Sequence, residues 1–132
     1  MKKYAYSTVG LLLAAMFIAC SGKNPPRDEI PVIKDTLAEF QEALYDKNPV
    51  KIDSLLSSDA AQNNLDANGI ISAIYGGGES FYSFGQREFF YTKDRAVVKC
   101  TVMATQDDKG RPLEITLGKE HDRWLIRNLE FK

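Results

Sequence analysis

The chain has 132 residues, 17 basic and 18 acidic side chains, one histidine and two cysteines. That length fits one domain, and a net charge of −1 lacks the basic excess of a nucleic-acid-binding surface. Two cysteines and one histidine cannot complete a zinc site within one chain, so neither a metal nor another cofactor is expected.

The first element is an address. Met1-Lys2-Lys3 leads into an apolar run from Val9 to Ala19, then Cys20. A basic start followed by a short apolar core reads as a secretory signal peptide over residues 1–19, too short for a membrane span of about 20 residues. Phe17-Ile18-Ala19-Cys20-Ser21-Gly22 resembles the lipobox of bacterial lipoproteins, with Phe17 where that family prefers Leu. The resemblance implies cleavage before Cys20 and acylation of that cysteine, hence attachment to a membrane. Ser21 stands where enterobacterial lipoproteins retained in the inner membrane carry Asp. The resemblance therefore implies an outer-membrane address facing the periplasm.

Removing nineteen residues, two of them lysines, leaves 113 residues with a charge of −3. Cys100 is then the single free thiol, and no intrachain disulfide can form. Residues 20–29 hold Pro25, Pro26 and several charges, and read as a lipidated tether. The folded domain is expected over residues 30–132.

Helices come first. Ile33, Leu37, Phe40 and Leu44 recur at helical spacing, behind Pro31 in the first turn. Asp35, Glu39, Glu42 and Asp46 line the opposite face and read as solvated charges. Asn48-Pro49 predicts an N-cap and first residue for a second helix. Ser58 or Asp59 can cap a third helix running through Leu65, and Asn68-Gly69 should break or bend the chain before Ile70. Gly76-Gly77-Gly78 stops any helix; it lacks the lysine of a phosphate loop.

Beyond Phe81 the apolar period becomes two. Strands are predicted at about 83–92, 95–106, 111–119 and 124–131, joined by short turns and so antiparallel. A tight turn at Lys93-Asp94 pairs Glu88 with Lys99, Arg87 with Cys100 and Phe84 with Met103. The next turn pairs Ala104 with Leu113 and Cys100 with Leu117. In the last hairpin Leu117 faces Ile126 and Ile115 faces Asn128, which leaves Trp124 and Phe131 on opposite faces and the register open. Helices followed by a meander of about four strands define an α+β domain.

The segments KNPVKIDSLLSSDA and RWLIRNLEF resemble the NTF2-like superfamily, with a related look to cystatin-like small lipoproteins. The resemblance implies a cone in which a curved sheet wraps the helices around a pocket. Such folds host isomerases, dehydratases, ligand carriers and dimeric scaffolds, so fold alone does not decide function.

The candidate site is set by the expected register. Arg87 would point to the apolar face beside Cys100, where an arginine needs an anionic partner. Asn128 and Glu130 share that face, giving a convergent polar set in an apolar cavity. Tyr45, Tyr75 and Tyr91 are ring-plus-hydroxyl candidates for the pocket wall, with Tyr82 beside them. His121 lies in a turn and reads as solvated; Cys100 reads as core packing.

The expected role is a lipid-anchored, non-catalytic binding module for a small apolar or anionic ligand or a protein partner. One alternative is an isomerase or dehydratase with Asp53 or Glu130 as base, although no second catalytic group accompanies them. Another is a homodimer through the outer sheet face, where Phe84, Phe90, Val97 and Met103 would cluster.

Overall fold

A computed structural model describes residues 28–132. The signal peptide, Cys20 and the tether up to residue 27 lie outside the described residues.

Helix α1 spans Ile30–Tyr45 and buries Ile33, Leu37, Phe40 and Leu44, the stripe its spacing predicts. Asp35, Glu39, Glu42 and Asp46 are exposed on its far side. Helix α2, Pro49–Asp53, starts as expected: the Asn48 side chain accepts from Lys51 N, and Pro49 stands at the first position.

The expected third helix over 58–65 is replaced by one 3₁₀ turn, Ala60–Asn63. Asn64 enters the left-handed region at φ 60° and ends it. Helix α3, Ala67–Tyr75, runs through Asn68-Gly69 instead of breaking there. The reason is position. Gly69 lies in the first turn, where amide hydrogens lack helical partners, and the Asp66 carboxylate accepts its N–H at 2.7 Å. Gly76, at φ 59°, ends α3 in the left-handed conformation that glycine adopts without a Cβ penalty.

The rest of the domain is four strands: β1 (Ser83–Tyr91), β2 (Arg95–Met103), β3 (Arg111–Glu120) and β4 (Arg123–Phe131). They form one antiparallel meander in the order β1-β2-β3-β4, with α1 packed on one face. Thr36 Oγ1 donates to Trp124 O at 2.9 Å, and the Phe40 and Phe84 rings stack at 5.6 Å. Residues 55–57 add a short parallel contact along β4: Ile126 N donates to Leu55 O and Ser57 N to Ile126 O, each at 2.8 Å.

The register departs from expectation in three places. From Glu88↔Lys99 to Tyr91↔Ala96 the first hairpin pairs as predicted, but Gln86 (φ 49°) forms a bulge. Below it Phe84 pairs with Val102, not Met103, and turns into the core at 2% exposure. In the second hairpin Cys100 pairs with Leu113, not Leu117. Asp108 causes the change: its carboxylate accepts Ala104 N at 3.0 Å and Gly110 N at 3.1 Å, drawing residues 104–110 into a loop. Ala104 is thus exposed rather than paired with Leu113. The slip is by an even number of residues, so the core face is unchanged.

The last hairpin starts on Leu117↔Ile126 as expected, then bulges at Arg127. Ile115 therefore faces Leu129, not Asn128. That bulge brings Leu129 and Phe131 back to the side of Trp124 and Ile126, resolving the conflict in the sequence register. His121 and Asp122, at φ 53° and 63°, form the tight β3–β4 turn that twisted hairpins favour.

Helix α1 and the helix-facing side of the sheet share one core. Phe40, Val98, Ile115, Leu117 and Ile126 are all fully buried, and Trp124 is 2% exposed.

Candidate functional site

The bulge at Arg127 creates the most suitable cleft. It turns Leu129 and Phe131 to the helix side of the sheet, where they line the cleft together with Leu65 and with Ile70 and Ala73 of α3. The cleft holds about 250 Å³. Its rim is polar, carrying Asn63, Asn64 and Asp66. Asn63 is positioned by donating Nδ2 to Arg127 O at 2.9 Å. Arg111 is not part of the lining but packs against two residues that are, Ala73 and Phe131. Its guanidinium donates to the carbonyls of Ala73 at 3.2 Å and Ile74 at 2.6 Å, and lies 4.7 Å from the Phe131 ring centre. A cation there also complements the negative C-terminal end of α3. An apolar floor with a few polar groups around it is the usual make-up of a small-molecule site. The volume is a little below the roughly 300 Å³ at which such sites begin, so it suits one apolar group rather than a large ligand.

A second cleft of about 360 Å³ involves Asp59, Asp94, Arg95, Lys119, Glu120 and Arg127. Much of its charge is already matched. Arg127 binds Asp59 at 2.7 Å, Glu120 accepts Ser58 N at 3.1 Å, and Lys119 binds Glu29 at 3.0 Å. Glu29 is itself a notable group. It is buried at the start of α1 and also accepts the Trp124 indole N–H at 2.9 Å. A carboxylate this buried needs such donors.

The polar residues expected to converge lie apart. Arg87 sits in the β1 bulge, on one edge strand, and is exposed. Its Nε donates to Phe84 O at 2.8 Å and its Nη2 to Gln41 Oε1 at 3.1 Å. The expected cross-strand pairing of Arg87 with Cys100 is lost at the Gln86 bulge, which interrupts the ladder between Gly85 and Glu88. Asn128 and Glu130 are on β4, the other edge strand, and the Arg127 bulge places them on the outer face against Thr116 and Glu114. Glu130 is exposed and pairs with Lys132 at 3.2 Å. Asp53 is exposed at the end of α2.

The tyrosines are scattered too. Tyr45 and Tyr75 flank Phe81, with ring centres at 5.2 and 6.2 Å. Tyr45 donates to Tyr82 O and Tyr75 to Leu44 O, so both hydroxyls tie elements together. Burial raises both phenol pKa values. Tyr91 lies at the far end of β1, with its hydroxyl 3.4 Å from Asp28 Oδ1. The outer-face aromatic patch loses Phe84 to the core. Phe90 remains exposed there, with Lys99 5.5 Å from its ring centre.

No protein-family model and no curated protein matches the chain. Among solved structures, a designed NTF2-like protein is similar, with a TM-score of 0.62. The match covers 80% of this chain and 100% of that one at 14% identity. The fold is NTF2-like. At that identity the likeness speaks for the fold and not for an activity.

The residues of the α3–β4 cleft were absent from the sequence-derived set. Their signal was the change of phase in β4. Trp124 and Ile126 share one parity and Leu129 and Phe131 the other, which a bulge reconciles.

Proposed function

We propose that this protein is a lipid-anchored, non-catalytic binding module, held by Cys20 on the periplasmic side of an outer membrane. Its α3–β4 cleft takes the apolar part of a small ligand, and Arg111, packed against the lining residues Ala73 and Phe131, is the nearby cation that would receive an anionic head. One observation carries the binding half of this reading: the Arg127 bulge turns Leu129 and Phe131 into the floor of a cleft with a polar rim. The lipobox-like Cys20 carries the anchoring half. Two or three acyl chains, at about 0.8 kcal/mol per buried CH₂, would hold the domain stably on a bilayer. No helix among the described residues is long and apolar enough to cross a membrane. The isomerase or dehydratase alternative loses support because Asp53 and Glu130 both face solvent, on different elements, and neither lines the α3–β4 cleft.

Binding is tested with the apolar anionic dye 8-anilinonaphthalene-1-sulfonate and the variant Ala73→Trp. Ala73 is an exposed helix residue on the cleft wall, so an indole there fills the cleft without entering the core. Dye affinity should fall about tenfold, the equivalent of roughly 1.4 kcal/mol. Unchanged affinity would remove the cleft from consideration. For the anchor, Cys20→Ser should abolish acylation and release the protein from the membrane fraction; a variant that stays there would contradict the lipid reading.

A further inference from the structure

The chain enters the domain at one end of the sheet. Asp28 lies by Tyr91, and Glu29 is bound by Lys119 and Trp124. These partners sit beside the β1–β2 and β3–β4 turns. The same end exposes an aromatic pair. Phe90 is 52% and Tyr91 39% exposed, and with Thr92, Arg95 and Val97 they line a shallow apolar cleft of about 210 Å³. The 104–110 loop lies at the opposite end of the sheet.

Tether length limits which end can meet a membrane. The stretch from Cys20 to Asp28 spans at most about 27 Å when fully extended. Strand β1 alone, with nine residues, is about 30 Å long. Bringing the 104–110 loop to the bilayer would require the tether to run back along the whole sheet, which it is too short to do.

We propose that the entry end faces the bilayer and that Phe90 and Tyr91 lodge at the headgroup–acyl boundary. This inference rests on the Cys20 anchor proposed above. Aromatic rings suit that boundary because they bury apolar area while a tyrosine hydroxyl stays wet. The charges beside them alternate in sign, with Lys93, Asp94 and Arg95 in one turn and Asp122 and Arg123 in the other. The contact is therefore driven by the rings and responds little to salt, unlike a polybasic surface. This orientation also turns the cleft around Leu129 and Phe131, at the far end of β4, away from the membrane.

The test uses the full-length protein, purified from membranes and placed in phosphatidylethanolamine–phosphatidylglycerol vesicles with or without brominated acyl chains. Tryptophan is introduced at the entry end by Phe90→Trp, or at the opposite end by Lys109→Trp. The buried Trp124 gives the same background in both. Brominated lipid should quench the added emission of Phe90→Trp by half or more and leave that of Lys109→Trp unchanged. Intact mass separates the two ways of failing. An acylated protein whose Phe90→Trp signal is unquenched, or whose Lys109→Trp signal is quenched equally, overturns the orientation and leaves the anchor standing. A protein without acyl chains overturns both. A dimer in light scattering that Phe90→Ala dissolves assigns the patch to a second copy and likewise overturns the membrane contact.

Discussion

Arg127 holds Asp59 through two donors to one oxygen: Nε at 3.0 Å and Nη2 at 2.7 Å both reach Oδ2. The arginine reaches across Gly118, where a Cβ would fall 2.5 Å from Arg127 Cδ. One bulged residue thus ties β4 to the segment after α2. The Ser57 hydroxyl and the Arg127 guanidinium hold the Asp59 carboxyl below its ordinary pKa. A depressed carboxylate stabilises the fold above the unfolded-state pKa near 4, and the contribution is lost as pH falls through the lower folded-state value. Asp59→Asn should lower stability at neutral pH and flatten the loss of stability below about pH 4. Urea unfolding across that range checks this, and an acid limb as steep as the parent's would contradict it.

The β1 bulge makes a contrast between two phenylalanines. Phe84 packs against Phe40 and Phe81, whereas Phe90 is half exposed on the outer face. Phe84→Ala should cost about 3–5 kcal/mol, the usual range for emptying a core aromatic site. Phe90→Ala should cost less than about 1 kcal/mol, since it empties no core site. Chemical denaturation of the two variants would read this difference directly. Equal losses would mean that β1 pairs without its bulge.

Element types were largely legible because periodicity and capping are local. Asn48-Pro49, the α1 stripe and the switch to period two at β1 each carry their own signal. The site was less legible because it depends on parity. One extra residue at Gln86 and one at Arg127 move every side chain beyond them, counted outward from the hairpin turn, to the other face. Phe84 thereby enters the core, and Asn128 and Glu130 leave the face expected for them. The apolar phases record this change, from Phe84 to Phe89 and from Ile126 to Leu129. The Asp108 turn has no such trace, because an even slip leaves the apolar pattern intact.

Cys100 gives a prediction at alkaline pH. Burial pushes its thiol up to about 12, against a smaller opposing effect from Arg87. The folded state therefore holds this proton more tightly than the unfolded chain, whose cysteine titrates near 8.5. The resulting stabilisation is present in full below about pH 8.5 and is lost as pH rises towards 12. Cys100→Ala should weaken the fall in stability over that window. Iodoacetamide should label the native thiol only slowly at neutral pH and rapidly in urea, because the thiolate is the reactive form. Rapid native labelling would contradict the burial.

Arg87 was the leading ligand contact in the sequence, and its geometry gives it a different task. Gln41 Oε1 accepts from both Phe84 N and Arg87 Nη2, each at 3.1 Å, while Arg87 Nε binds Phe84 O at 2.8 Å. The three groups latch the bulge to α1. Arg87→Ala removes two of these bonds and should destabilise the domain by about 1–2 kcal/mol, given roughly 0.5–1.5 kcal/mol net per hydrogen bond and the partial exposure of the site. Gln41→Ala removes the shared acceptor, and the double variant should cost less than the two single losses combined. Dye affinity at the α3–β4 cleft should be unchanged in all three, because the latch lies on the opposite edge strand from Leu129 and Phe131. Reduced dye binding in Arg87→Ala, with stability near the parent's, would instead return this arginine to the ligand site.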